Sequence, residues 1–90
     1  MLFSLGQIVM TKAIADLVAD GKIDVLPFVA RHATGDWGDL CNADHAMNDD
    51  AVTSGQRIFS CYRVSPEIDK VWIITEWDRS YTTILLPSEY

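Results

Sequence analysis

Short apolar runs at helical spacing occupy the first part of the chain, and strict alternation takes over near its end. Ser4 to Thr11 is short and mixed, with Ile8, Val9 and Met10 apolar, and reads as a strand. Lys12 to Ala19 places Ile14, Leu17 and Val18 on one helical face, and Gly21 supplies the stop. Asp24 is the expected cap of a second helix that tolerates Pro27 early and carries Val25, Phe28 and Val29 at helical spacing. Ala33 to Gly38 breaks that helix. A third is expected from the cap Asn42 to just before Gly55, with Ala43, Ala46, Met47, Ala51 and Val52 as its buried stripe. Asp44, Asn48 and Asp49 are expected to point elsewhere.

Arg57 to Val64 alternates, with Ile58, Ser60, Tyr62 and Val64 on one face and Phe59, Cys61 and Arg63 on the other. Val71 to Trp77 and Tyr81 to Leu86 read as further strands, joined by a tight connection at Asp78-Arg79-Ser80 and ended by Pro87. The expected architecture is α+β. An antiparallel β-meander of three to four strands carries about three helices packed on one face, in two layers.

Length and composition narrow this further. Ninety residues, 49% apolar and 22% charged, fit one domain spanning residues 1–90. Thirteen acidic against seven basic side chains leave a net charge of −6, which argues against direct nucleic-acid or anionic-membrane partners. No apolar run approaches the roughly 20 residues of a membrane helix. The first ten residues lack a basic leader region. Two cysteines, Cys41 and Cys61, suit a reducing cytoplasm better than a disulfide scaffold.

The segment from Arg31 to Leu40 gathers the residues with chemical potential. His32 oriented by Asp36 or Asp39 would serve as the general base of a small hydrolase or metal-dependent enzyme. The favoured structural alternative has Trp37 plugging the core between Gly35 and Gly38 while His32 bonds the loop backbone. Cys41 and His45 stand four residues apart, but two ligands do not hold zinc, and His32 and Cys61 would have to complete the set. A small buried Cys41 beside a surface His45 is the expectation, with neither metal nor cofactor. Glu76 and Arg79 suit an ordinary surface ion pair.

Charge placement is the stronger signal. Between His32 and Gln56 there are five aspartates (Asp36, Asp39, Asp44, Asp49 and Asp50) and no lysine or arginine. Such a block predicts an anionic face that docks a basic surface of another protein or nucleoprotein complex, with Trp37 or Trp77 as anchor if exposed. A homodimeric accessory protein, joined through the exposed edge of the meander, is a further reading, so the chain is expected to be a monomer or homodimer.

Several motifs together resemble a family of small plasmid-related proteins carried on bacterial mobile elements. They are Arg31-His32, Gly35-Asp36-Trp37-Gly38-Asp39, Ser60-x-Tyr62, and the run Trp72-x-Ile74-Thr75-Glu76-x-Asp78-Arg79-Ser80-x-Thr82-Thr83-Ile84-Leu85-Leu86-Pro87-x-x-Tyr90. The resemblance covers nearly the whole chain and implies a cytoplasmic accessory factor of a bacterial mobile element. It carries over no catalytic residue. Cys41 and Cys61 lie outside the motifs, and Trp77 stands where a small residue is expected. Small acidic proteins of such elements are often similar to inhibitors of host defence, of anti-CRISPR or anti-restriction type.

Overall fold

Thr11 ends one element and starts the next. Its N–H continues the ladder of β1 (Gln7–Met10) by donating to the Ile84 carbonyl at 3.1 Å, while its hydroxyl accepts from Ile14 N–H and caps α1 (Lys12–Ala19). In the computed structural model, which describes Met1–Tyr90, α2 (Leu26–Ala33) and α3 (Asn42–Ser54) follow. Then come β2 (Ile58–Arg63), β3 (Lys70–Thr75), β4 (Tyr81–Leu85) and a closing 3-10 turn at Pro87–Glu89. Pro27 sits in the first turn of α2, where its missing N–H is harmless, and the Asp24 carboxylate accepts from Leu26 N–H at 3.2 Å. Cys41, not Asn42, occupies the cap position of α3, and its side chain makes no capping bond.

The strands form one sheet in the order β1-β4-β3-β2. β2, β3 and β4 pair antiparallel as the expected meander, but β1 lies parallel to β4, so the sheet is mixed. A parallel neighbour needs a long crossover, which the three helices and two strands between β1 and β4 supply. Gly6 fixes the entry to β1: at φ +62°, a Cβ there would collide with the carbonyl oxygens of Arg79 and Ser80.

Alternation decides which face is buried. Ile58, Ser60, Tyr62, Val71, Ile73, Thr75, Thr82 and Ile84 point inward, all fully enclosed. Ile14 from α1 and Val29 from α2 pack on Tyr62, Val71, Ile73 and Ile84. A second cluster joins Phe3, Trp37, Ala51 and Ile58 beneath α3. The opposite face has no helical layer. Phe59 packs edge-on against Trp72 at 4.8 Å, Tyr90 lies over Trp72 at 5.4 Å, and Arg57 Nη1 donates to Tyr90 Oη at 2.9 Å.

Three local expectations change. β3 stops at Thr75, because Glu76 to Arg79 form the turn, with Arg79 at φ +59°. Arg79 does not pair with Glu76; its guanidinium donates to the carbonyls of Gln56, Glu76 and Ala51 at 2.6, 3.0 and 2.8 Å, tying the end of α3 to the hairpin. Glu76 instead meets Arg57 Nε at 3.4 Å. Finally, α3 keeps only the C-terminal part of its expected stripe: Ala51 is buried and Val52 packs against the second cluster, whereas Ala43, Ala46 and Met47 face solvent and Asn48 turns inward.

Candidate functional site

The loop between α2 and α3 is built around one cation and one indole. Arg31 on α2 donates through Nε to Asp36 Oδ2 at 2.7 Å and through Nη2 to Oδ1 at 3.3 Å. This hydrogen bond holds the Asp36 carboxyl below the usual carboxylate range and raises the Arg31 guanidinium. The guanidinium lies 4.5 Å from the centre of the Tyr62 ring, and Tyr62 Oη donates to the Asp36 carbonyl at 2.6 Å. Burial pushes the Tyr62 phenol up to about 12.

With the loop held, Trp37 turns inward and is only 1% exposed, packed near Phe3 and His32 with ring centres 6.1 and 5.8 Å away. Its Nε1–H donates to Asp49 Oδ1 on α3 at 2.9 Å. Trp37 is therefore the core plug that the flanking glycines suggest, and it is not available as an exposed docking anchor. Of the two candidate anchors, Trp77 is exposed, at 67%.

The segment after Trp37 lies against the outer edge of β2. Cys61 N–H donates to the Trp37 carbonyl at 3.2 Å, and Asp39 N–H donates to the Cys61 carbonyl at 2.7 Å. Gly38 permits this approach, since a Cβ at its φ of +78° would strike the Cys61 carbonyl and the Tyr62 ring. Two residues earlier on β2, the Asn48 side chain mimics a strand. Its amide donates to the Phe59 carbonyl at 2.5 Å, and its oxygen accepts from Phe59 N–H at 3.1 Å. The edge of the meander is thus occupied at Phe59 and Cys61.

His32 belongs to a different network. It is fully enclosed, with Nδ1 2.5 Å from Ser60 Oγ and Nε2 2.9 Å from Thr75 Oγ1. Donor counting fixes the direction of every bond. The single Thr82 proton goes to the Leu5 carbonyl at 2.7 Å, so Thr75 must donate to Thr82 across 2.7 Å. Thr75 then accepts from His32 Nε2–H, and His32 Nδ1 accepts from Ser60. The ring is neutral, in the Nε2–H form, and burial followed by the positive Arg79 lowers its pKa to about 4.

His32 bonds hydroxyls rather than the loop backbone and forms no hydrogen bond with Asp36 or Asp39, so the three residues of the enzymatic alternative do not form a unit. Ser60, Thr75 and Thr82 were missed as site residues, although their inward positions on alternating strands were the available signal. No three His, Cys, Asp or Glu side chains are grouped to hold a metal ion. Cys41 is exposed rather than buried, His45 Nε2–H donates to the Gly38 carbonyl at 3.2 Å, and burial pushes the Cys61 thiol up.

The five aspartates divide into two groups. Asp36 and Asp49 hold Arg31 and Trp37. Asp39, Asp44 and Asp50 are exposed and enter no ion pair. Asp44 and Asp50 border a groove of about 550 Å³ between α3 and the start of β2, together with Met47, Asn48, Arg57 and Phe59. Met47, 69% exposed, lies between the two carboxylates in sequence and lines the same groove. Arg57, at the β2 side, is already engaged by Glu76 and Tyr90.

No helix is long and apolar enough to cross a membrane. No protein-family model, curated protein or solved structure matches this chain.

Proposed function

We propose that the chain is a non-enzymatic, cytoplasmic binding protein that docks a basic surface of another protein through Asp39, Asp44, Met47 and Asp50. One observation carries this reading. The carboxylates of Asp44 and Asp50 border a groove and enter no ion pair, its one cation Arg57 being engaged by Glu76 and Tyr90, and they lie beside an exposed methionine. Carboxylates supply attraction and orientation at long range, and a flexible thioether adapts to an irregular apolar contact. His32 is enclosed and Asp36 is committed to Arg31, which favours binding over hydrolysis.

The resemblance to plasmid-related accessory proteins supplies a setting. In a bacterial mobile element, a small anionic domain of this kind would inhibit host defence by occupying a basic surface that otherwise holds nucleic-acid phosphates, in the manner of anti-CRISPR or anti-restriction proteins.

The test is capture of the partner from bacterial lysate, followed by association kinetics with the isolated partner. The triple variant Asp39→Asn, Asp44→Asn, Asp50→Asn should slow association about tenfold or more at low salt while leaving the melting temperature nearly unchanged. Raising salt to physiological strength should narrow the difference between the two proteins. Equal association rates at low salt would refute the proposal.

A further inference from the structure

The two outer strands of the sheet are finished differently. Along β2, the outward N–H and C=O groups of Phe59 and Cys61 all have partners, from the Asn48 side chain and the Trp37–Asp39 backbone. Along β1 nothing comparable exists. Gln7 N–H donates to the Ser80 carbonyl and Thr11 N–H to the Ile84 carbonyl, each at 3.1 Å. In a parallel ladder of that register, the alternate residues Ile8 and Met10 turn their backbone groups away from the sheet. Their side chains share the helix-bearing face with Thr82 and Ile84, their register partners on β4. Those two are fully buried, whereas Ile8 and Met10 are 48% and 42% exposed.

We infer that a second copy of this chain completes this edge, with β1 pairing antiparallel to β1 of the partner about a two-fold axis at Val9. Ile8 then faces Met10 of the partner subunit, and the outward N–H and C=O groups of both residues are satisfied in each copy. Two features favour a second copy over a foreign strand. Gln7–Met10 contains no charge, so two chains of net charge −6 meet there along a neutral strip. In addition, α1 follows β1 directly and packs on the same face, so a two-fold mate brings its own α1 over the seam and encloses Ile8 and Met10 from both sides. A foreign strand brings no second α1 to that face.

The seam is short and smaller than a standard interface of roughly 1,200–2,000 Å², so the dimer is a weak one, with Kd on the order of 100 µM. The pairing stands independently of the docking proposal. A consequence that does rest on that proposal is bivalency: in the joined sheet the two β2 strands, each with its α3, occupy opposite ends about 34 Å apart.

Sedimentation velocity from about 10 µM to about 1 mM tests the pairing without any docking partner. The mass should rise from 10.1 kDa towards twice that value. Amide exchange at Ile8 and Met10 should slow about fourfold over the same range. The variant Ile8→Lys, Met10→Lys blocks the edge with charge, and Met10→Pro removes an outward N–H without touching the ladder to β4. Both should sediment at 10.1 kDa with unchanged circular dichroism. The inference is overturned if the wild type stays at 10.1 kDa at about 1 mM with concentration-independent exchange, which would leave the edge to a strand from another protein. It is equally overturned if a dimer forms that neither variant weakens.

Discussion

Acidification from about pH 7 to about pH 4 should remove about 3 kcal/mol of folding free energy through His32. In the unfolded chain the imidazole titrates near 6.5, while in the fold burial and Arg79 hold it at about 4. Above 6.5 both states carry neutral histidine and the full stability is present. As pH falls through that value, the unfolded state takes up a proton that the folded state refuses, and stability declines until pH reaches about 4. The carboxylates of Asp36 and Asp78 are shifted downward, so their contribution fades only under more acidic conditions. A decline that begins near pH 6.5 therefore marks the histidine. Urea denaturation across this range measures it. The His32→Gln variant, whose amide offers one acceptor and donors but cannot titrate, should start less stable and show a flat profile. A wild-type profile that is flat between 6.5 and 4 would contradict the enclosed neutral ring.

The second large effect concerns Trp37. Truncation to alanine removes an enclosed indole and should cost about 3–5 kcal/mol. For a chain of this length that is a large part of an expected stability of about 5–13 kcal/mol. The loss should extend to α3, because Asp49 loses the Nε1–H that joins the helix to the loop. Trp37→Phe keeps most of the ring and removes the hydrogen bond, so it should cost about 1–2 kcal/mol. Chemical denaturation gives both values, and amide exchange along α3 should rise in the alanine variant. A Trp37→Ala variant within about 1 kcal/mol of wild type would show that the plug is not structural.

These effects trace to residues that differ in how openly the sequence declares them. The strands of the meander and the limits of α1 follow from alternation and helical spacing, because both report burial of one face directly. The parallel placement of β1 does not follow, since four uncharged residues specify a strand but not its neighbour or direction. α3 misleads for a chemical reason. Periodicity takes its inward face to be apolar, yet beside Ala51 that face carries Asn48, whose carboxamide pairs with the N–H and C=O of Phe59 together. Met47, the largest apolar residue of that helix, lies outside.

The candidate site shows the same boundary. A run of aspartates without a compensating cation was apparent as charge, but charge alone cannot separate a carboxylate that accepts from a buried indole from one that faces water. The indole that claims Asp49 is twelve residues away in sequence, and the cation that claims Asp36 lies on the preceding helix. The buried hydroxyls around His32 are a more accessible case. Ser60 already fell on the inward face with Ile58 and Tyr62, where a small polar side chain needs a partner.

Asp49 and Asp50 are adjacent, share a helix and differ only in what they touch, so their neutralisation probes the division of the acidic block most directly. Thermal denaturation of Asp49→Asn and Asp50→Asn at neutral pH is the decisive comparison. Exchanging the charged acceptor of the Trp37 N–H for the weaker amide oxygen should destabilise the first by about 1 kcal/mol, a fall in melting temperature of roughly 4–8 °C. The second should stay within about 0.5 kcal/mol of wild type. Equal melting temperatures for the two variants would contradict a division between carboxylates that hold the fold and carboxylates left free to bind.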